Sequence, residues 1–172
     1  MEKNMQDHEG IRITFYRKVK GGEEKTELSL PAAEISTAIT SSTIDFAKEF
    51  GEYLAYDSTK RNEWGEIEKD KKGNKKNITA LNSTQLRKFF GEVKRQQIKK
   101  YEESRFVLLK PKLAYAVGRN KDNKVRYLYE VLSQAIDIVV KAKDNNKAFK
   151  NFVALFEAIV AYHKSVEKVI NN

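Results

Sequence analysis

Residues 125–166 read VRYLYEVLSQAIDIVVKAKDNNKAFKNFVALFEAIVAYHKSV, and this stretch decides the fold. Val125, Leu128, Leu132, Ala135, Ile136, Val139 and Val140 recur at three- and four-residue intervals. That spacing puts them on one face of a helix with about 3.6 residues per turn. Phe149, Phe152, Val153, Phe156, Ile159, Val160 and Val166 make a second stripe. The Lys143-Asp144-Asn145-Asn146 connection is short, so the two helices are expected to pack as an antiparallel hairpin. They are the best-marked part of an expected all-α, compact helical bundle of about five helices.

Upstream, Asn82 is placed to cap a helix, with Gln85 at the capping-box position. Leu86, Phe89, Phe90 and Val93 form its apolar stripe, which Gln97 and Tyr101 extend weakly. Lys88, Arg95 and Lys99 fall together on the opposite face, while Arg87 and Lys94 flank the stripe. Pro111 predicts a short helix holding Leu113, Ala114 and Val117, with Gly118 as its stop. Further back, Ile35, Ile39, Phe46, Phe50, Tyr53 and Leu54 keep helical spacing as far as about Tyr56. Two starts are available to that helix, one after Pro31 and one at Ser42 with Asp45 three residues on. Residues 57–78 lack apolar periodicity apart from Trp64 and Ile67 and carry the run KDKKGNKK at 69–76, so a mobile basic linker is expected. Residues 1–30 read either as a hairpin, with Ile11, Ile13, Phe15 and Val19 alternating before Gly21-Gly22, or as a disordered extension. A lone two-stranded hairpin is marginal in water.

The chain has 172 residues, about the size of one domain, and 40% hydrophobic residues are enough to bury a core. It has no cysteine, which removes disulfides, thiolate metal sites and cysteine nucleophiles and is compatible with a reducing compartment. Met1 to Gly10 has no apolar core of a signal peptide, and no apolar run approaches membrane-span length. A soluble, cytoplasmic protein is the expectation. The net charge of +9 is unevenly placed. Lys60 to Arg126 holds 20 Lys and Arg against 8 Asp and Glu, and the remainder 13 against 16. One segment therefore carries the whole basic excess, which points to a polyanion, nucleic acid first, although a lysine-rich solvated surface gives the same count.

The sequence offers few candidates for catalytic chemistry. His8 lies in the polar N-terminus, and His163 falls on the last apolar stripe, where a hydrogen-bonded structural histidine is expected. No H-E-x-x-H, Walker A or G-x-G-x-x-G pattern occurs, so no catalytic residue, metal ligand or cofactor is assigned. Glu23-Glu24 and Glu102-Glu103 are adjacent pairs whose side chains diverge. Cations stand out instead at three helix starts: Arg87 and Lys88, then Lys112, then Lys124 and Arg126. A helix N-terminus disfavours cations by itself but favours a bound phosphate that such cations would share. Tyr101, Phe106, Tyr115, Tyr127 and Tyr129 are available for stacking on single-stranded RNA, although a helical core consumes most aromatics first.

Two segments carry a family resemblance: Asn82-Ser83-Thr84-Gln85-Leu86-Arg87-Lys88-Phe89-Phe90, and Leu108-Leu109-Lys110-Pro111-Lys112-Leu113-Ala114-Tyr115-Ala116-Val117-Gly118-Arg119. In this order the chain resembles the small subunit of the type III-A (Csm) CRISPR effector complex, over roughly residues 42–168. The resemblance implies a non-catalytic helical bundle, several copies of which stack as a filament along the duplex of guide RNA and target RNA. The backbone and large subunits of the complex would be its other partners. Basic residues would touch the RNA without reading sequence. The motifs themselves bring Arg87, Lys110, Lys112 and Arg119 as expected RNA contacts. Charge and helical position add Lys88, Lys94, Arg95, Lys99 and Arg126. A general helical nucleic-acid binder or a protein–protein adaptor outside CRISPR is the alternative. Residues 1–30 and the Lys-rich linker exceed what the family pattern needs, and the N-terminal segment reads equally as a contact to a neighbouring subunit.

Overall fold

A computed structural model describes residues 11–170; His8 and the rest of the Met1–Gly10 segment lie outside the described residues. Chain order runs from a hairpin, β1 (Arg12–Val19) and β2 (Gly22–Ser29), into α1 (Ala32–Ser36) and α2 (Ser41–Leu54). Two short strands follow, β3 (Ser58–Thr59) and β4 (Asn77–Ile78), and then α3 (Ser83–Lys99), α4 (Glu103–Phe106), α5 (Leu109–Arg119), α6 (Val125–Lys141) and α7 (Asn145–Ile170). Five of the helices exceed ten residues, matching the expected helical bundle. None is long and apolar enough to cross a membrane.

Helix α7 is the spine, packed against α1, α2, α3 and α6. Phe152, Phe156 and Ile159 from its stripe share a fully buried core with Ile35, Phe50, Val93 and Ile136. The α6–α7 connection is closed by one side chain. Asn145 Nδ2 donates to the carbonyls of Val139 (2.7 Å), Val140 (3.1 Å) and Ala142 (3.1 Å), satisfying the open end of α6. Helix α2 reaches α7 at Gly51, where a Cβ would lie 2.6 Å from the Ile159 carbonyl oxygen and 3.1 Å from Tyr162 Cβ. Only a residue without a side chain permits that approach.

The hairpin forms in the register Arg12 opposite Ser29 to Val19 opposite Gly22, and it does not stand alone. Ile13, Phe15 and Leu30 enter the common core, with the Phe15 ring stacked on Tyr53 at 4.1 Å. Arg17 Nη1 donates to Glu49 of α2 at 3.0 Å. Packing on α2 thus supplies the support that two strands lack alone. The chain starts a helix near both expected places, but the second is not at Ser42. Helix α1 follows Pro31 directly, and α2 is capped by Thr40, whose N–H donates to Thr43 Oγ1 at 3.1 Å, in place of the Ser42–Asp45 pair. Asn82 caps α3 as expected, its Oδ1 accepting from the Gln85 N–H at 2.8 Å. Helix α5 starts two residues ahead of Pro111, which the first turn tolerates because its N–H groups have no intrahelical acceptor.

Residues 57–78, expected as a loop, carry ladder bonds from Lys60 N–H to Lys76 O (2.8 Å), Glu68 N–H to Lys60 O (3.0 Å) and Lys76 N–H to Glu68 O (2.9 Å). Asn62 Oδ1 closes one turn by accepting from Trp64 and Glu66, and Asp70 Oδ1 closes the other by accepting from Lys72 and Asn74. Side-chain-to-backbone bonds of this kind leave no apolar period in the sequence.

Candidate nucleic-acid interface

Helices α3 and α5 lie side by side and leave a groove of about 890 Å³ between them. From α3 come Gln85, Lys88 and Glu92; from α5 come Lys112, Tyr115 and Arg119. A smaller recess of about 200 Å³ continues the groove toward the C-terminal end of α3, lined by Arg95, Lys99, Arg105 and Lys112. Five of the nine expected contacts, Lys88, Arg95, Lys99, Lys112 and Arg119, are therefore brought to one face. Spacing put the three α3 residues in line, and packing adds the two from α5.

The face is not purely cationic. Glu92 accepts from Lys112 Nζ at 2.7 Å and lies 4.0 Å from Arg95. The hydrogen bond from Lys112 holds its carboxyl below the usual carboxylate range. Aromatic surface is present as well: Tyr115 is 68% exposed, with the Arg119 guanidinium 5.8 Å from its ring centre. Among the aromatics singled out from the sequence, Phe106 is fully buried, and Tyr101, Tyr127 and Tyr129 pack against the core. Tyr115 is the member of that set left at the surface. Glu92 and Arg105 carried no sequence signal, since only the meeting of α3, α4 and α5 places them here.

Four expected contacts sit elsewhere. Lys110 Nζ is 2.6 Å from Asp137 Oδ1 on α6, and Lys94 Nζ is 4.0 Å from Glu157 on α7. Arg87 is exposed one heptad before Lys94, which puts it on the same flank of α3 and not in the groove. Arg126 lines a separate cleft with Tyr127.

Lys124, expected at a helix start as a phosphate partner, is not available to one. Its side chain is fully buried, and its Nζ donates to the Tyr53 carbonyl at 2.6 Å while lying 3.7 Å from the Tyr53 ring centre and 4.3 Å from that of Tyr56. It closes the last turn of α2 from inside the protein, out of reach of any phosphate. Burial pulls its pKa down to about 6, against a weaker opposing pull from Asp57. His163 is also buried; its Nε2–H donates to the Leu81 carbonyl at 2.5 Å, and burial lowers its pKa. No group of three or more His, Cys, Asp or Glu placed to hold a metal ion occurs among the described residues.

Compared with known families, residues 66–169 match the family model described as Csm2 Type III-A. That span contains the whole α3–α5 groove, whereas the hairpin, α1, α2 and Trp64 precede it. No curated protein and no solved structure matches the chain.

Proposed function

The chain belongs to the Csm2 family and is a subunit of a type III-A CRISPR effector complex, and on that premise we propose that it is a non-catalytic RNA-binding subunit. Several copies stack as a filament along the duplex of guide RNA and target RNA, beside the backbone and large subunits. The observation that carries this reading is the α3–α5 groove, where Lys88, Lys112 and Arg119 converge beside exposed Tyr115 inside the family-matched span. Lysine is a flexible point charge, suited to phosphate and poor at reading base edges, so sequence is left to base pairing. Ile98, 84% exposed near the end of α3, offers apolar surface that a neighbouring subunit would cover.

The test is binding of the purified chain to a guide–target duplex by anisotropy of a labelled strand. The triple variant Lys88→Ala/Lys112→Ala/Arg119→Ala removes three phosphate partners and is expected to bind about tenfold more weakly or worse at low salt. Its circular dichroism should be unchanged, because Lys88, Lys112 and Arg119 are all exposed. Arg87→Ala, on the flank of α3, is the control and should lose far less. Equal affinities for the triple variant and the parent would remove the groove as the RNA contact.

A further inference from the structure

A second cleft, of about 600 Å³, opens between the N-terminal hairpin, the turn carrying Trp64 and the start of α6. Much of its wall precedes residue 66, where the family match begins. Trp64 stands at its edge, 76% exposed. This is not an indole on a loose loop. Asn62 Oδ1 accepts from the Trp64 and Glu66 N–H groups at 3.0 and 2.9 Å, and Arg61 Nη1 donates to the Gly65 carbonyl at 3.0 Å. The Arg61 guanidinium in turn stacks on the Tyr16 ring at 4.1 Å and pairs with Glu23 at 3.3 Å. A large apolar ring is thus held in water by a turn fixed on both sides, an arrangement that folding alone does not require.

The opposite wall comes from α6. Arg126 lines it, forms no salt bridge among the described residues, and sits 5.6 Å from the Tyr127 ring centre. Ser58 also lines the cleft; it is 4% exposed and its hydroxyl has no hydrogen-bond partner among the described residues. A buried hydroxyl is normally satisfied, so a missing partner marks a place where a polar ligand group would fit. Glu63 and Glu130 line the cleft too, which disfavours a ligand that is all phosphate. Aromatic faces beside a free cation and hydrogen-bonding side chains match a nucleotide: a flat base at one end, one negative charge at the other.

We propose that this cleft holds an unpaired nucleobase of RNA, stacked on Trp64 with its phosphate at Arg126, as a second RNA contact apart from the α3–α5 groove. The inference rests on the RNA-binding reading but uses another surface, so the two can fail separately.

Trp64 is the only tryptophan in the chain, so its emission reports on the cleft alone. The full chain is titrated with a short single-stranded RNA carrying a terminal dye, reading dye anisotropy and Trp64 emission together. The expected result is saturable quenching of Trp64 with the same midpoint as the anisotropy rise. Arg126→Ala should shift the quenching midpoint upward about threefold or more, while Lys88→Ala/Lys112→Ala/Arg119→Ala keeps the full quenching amplitude. A blunt duplex of equal length should quench little, since its bases are already stacked. Anisotropy that rises without any change in Trp64 emission overturns the cleft and leaves the groove standing. Equal quenching by the blunt duplex overturns it as well, as does no response in either signal, and the groove then stands or falls on its own duplex titration.

Discussion

Glu92 is a carboxylate lining an otherwise basic groove, and its bond to Lys112 sets the local balance. An exposed pair of this kind contributes less than about 1 kcal/mol to folding, so little stability is lost by breaking it. For RNA the same carboxylate is a competitor, holding Lys112 and repelling an arriving phosphate. Glu92→Gln is therefore expected to tighten RNA binding about two- to fivefold at low salt, an advantage that fades as salt screens it. Weaker or unchanged binding of E92Q by anisotropy would mean that RNA does not meet Lys112. At Lys124 burial, and not a partner charge, sets the protonation state. Its folded pKa of about 6 lies below the 10.5 of the exposed side chain. Across that window the unfolded chain keeps a proton that the folded chain has released. Its burial therefore opposes folding fully below about pH 6, and the opposition is relieved as pH rises toward 10.5. Thermal melts of the parent should gain stability from pH 6 to 9 relative to Lys124→Met, which places an uncharged chain of similar length in the same site. Parallel pH profiles for the two proteins would show that Lys124 is not the titrating group.

At the scale of elements, two glycines inside helices have opposite expectations. Gly51 lets α2 touch the α7 backbone, and a Cβ there meets the Ile159 carbonyl at 2.6 Å, so Gly51→Ala must push the helices apart. A loss of about 1–3 kcal/mol is expected. Gly91 lies in α3 with nothing within 4 Å of an added Cβ, so Gly91→Ala is expected to gain about 0.5–1 kcal/mol from helix propensity. Denaturant unfolding of both variants checks the signs, and a stable G51A would contradict the close α2–α7 crossing. Legibility also divides at this scale. The stripes of α6 and α7 and the Asn82 cap were readable because each is a local repeat or a local bond. Helix α4 is a single turn, too short to show a period. Residues 57–78 are folded by Asn62 and Asp70, whose chemistry looks the same in an open loop. In the groove, the line of Lys88, Arg95 and Lys99 was visible within one helix. The arrival of α5, the pairing of Lys94 and Lys110 with α7 and α6, and the burial of Lys124 are tertiary events that a lysine's position in sequence does not reveal.

For the whole molecule, charge sets the conditions under which copies can stack. Each chain carries a net +9, and the excess lies between Lys60 and Arg126, the segment that supplies the groove. Two such chains side by side repel over about 10 Å at 0.1 M salt unless something neutralises the face they share. RNA phosphates would do so, which makes a filament conditional on the polyanion and gives salt two opposite effects. Without RNA, added salt screens the repulsion and should leave association unchanged or slightly favoured. With RNA, added salt restores counterions to the phosphates and should dissolve the assembly. If the groove neutralises about three phosphates per chain, log affinity should fall against log salt with a slope of roughly −2 to −3. Neighbour contacts add avidity, so affinity per chain should also climb with duplex length beyond the statistical increase in sites. Sedimentation velocity with and without duplexes of increasing length measures all three. Large species at low salt without RNA would mean that stacking does not need the polyanion, and affinity per chain that stays flat with length would mean that each copy binds on its own.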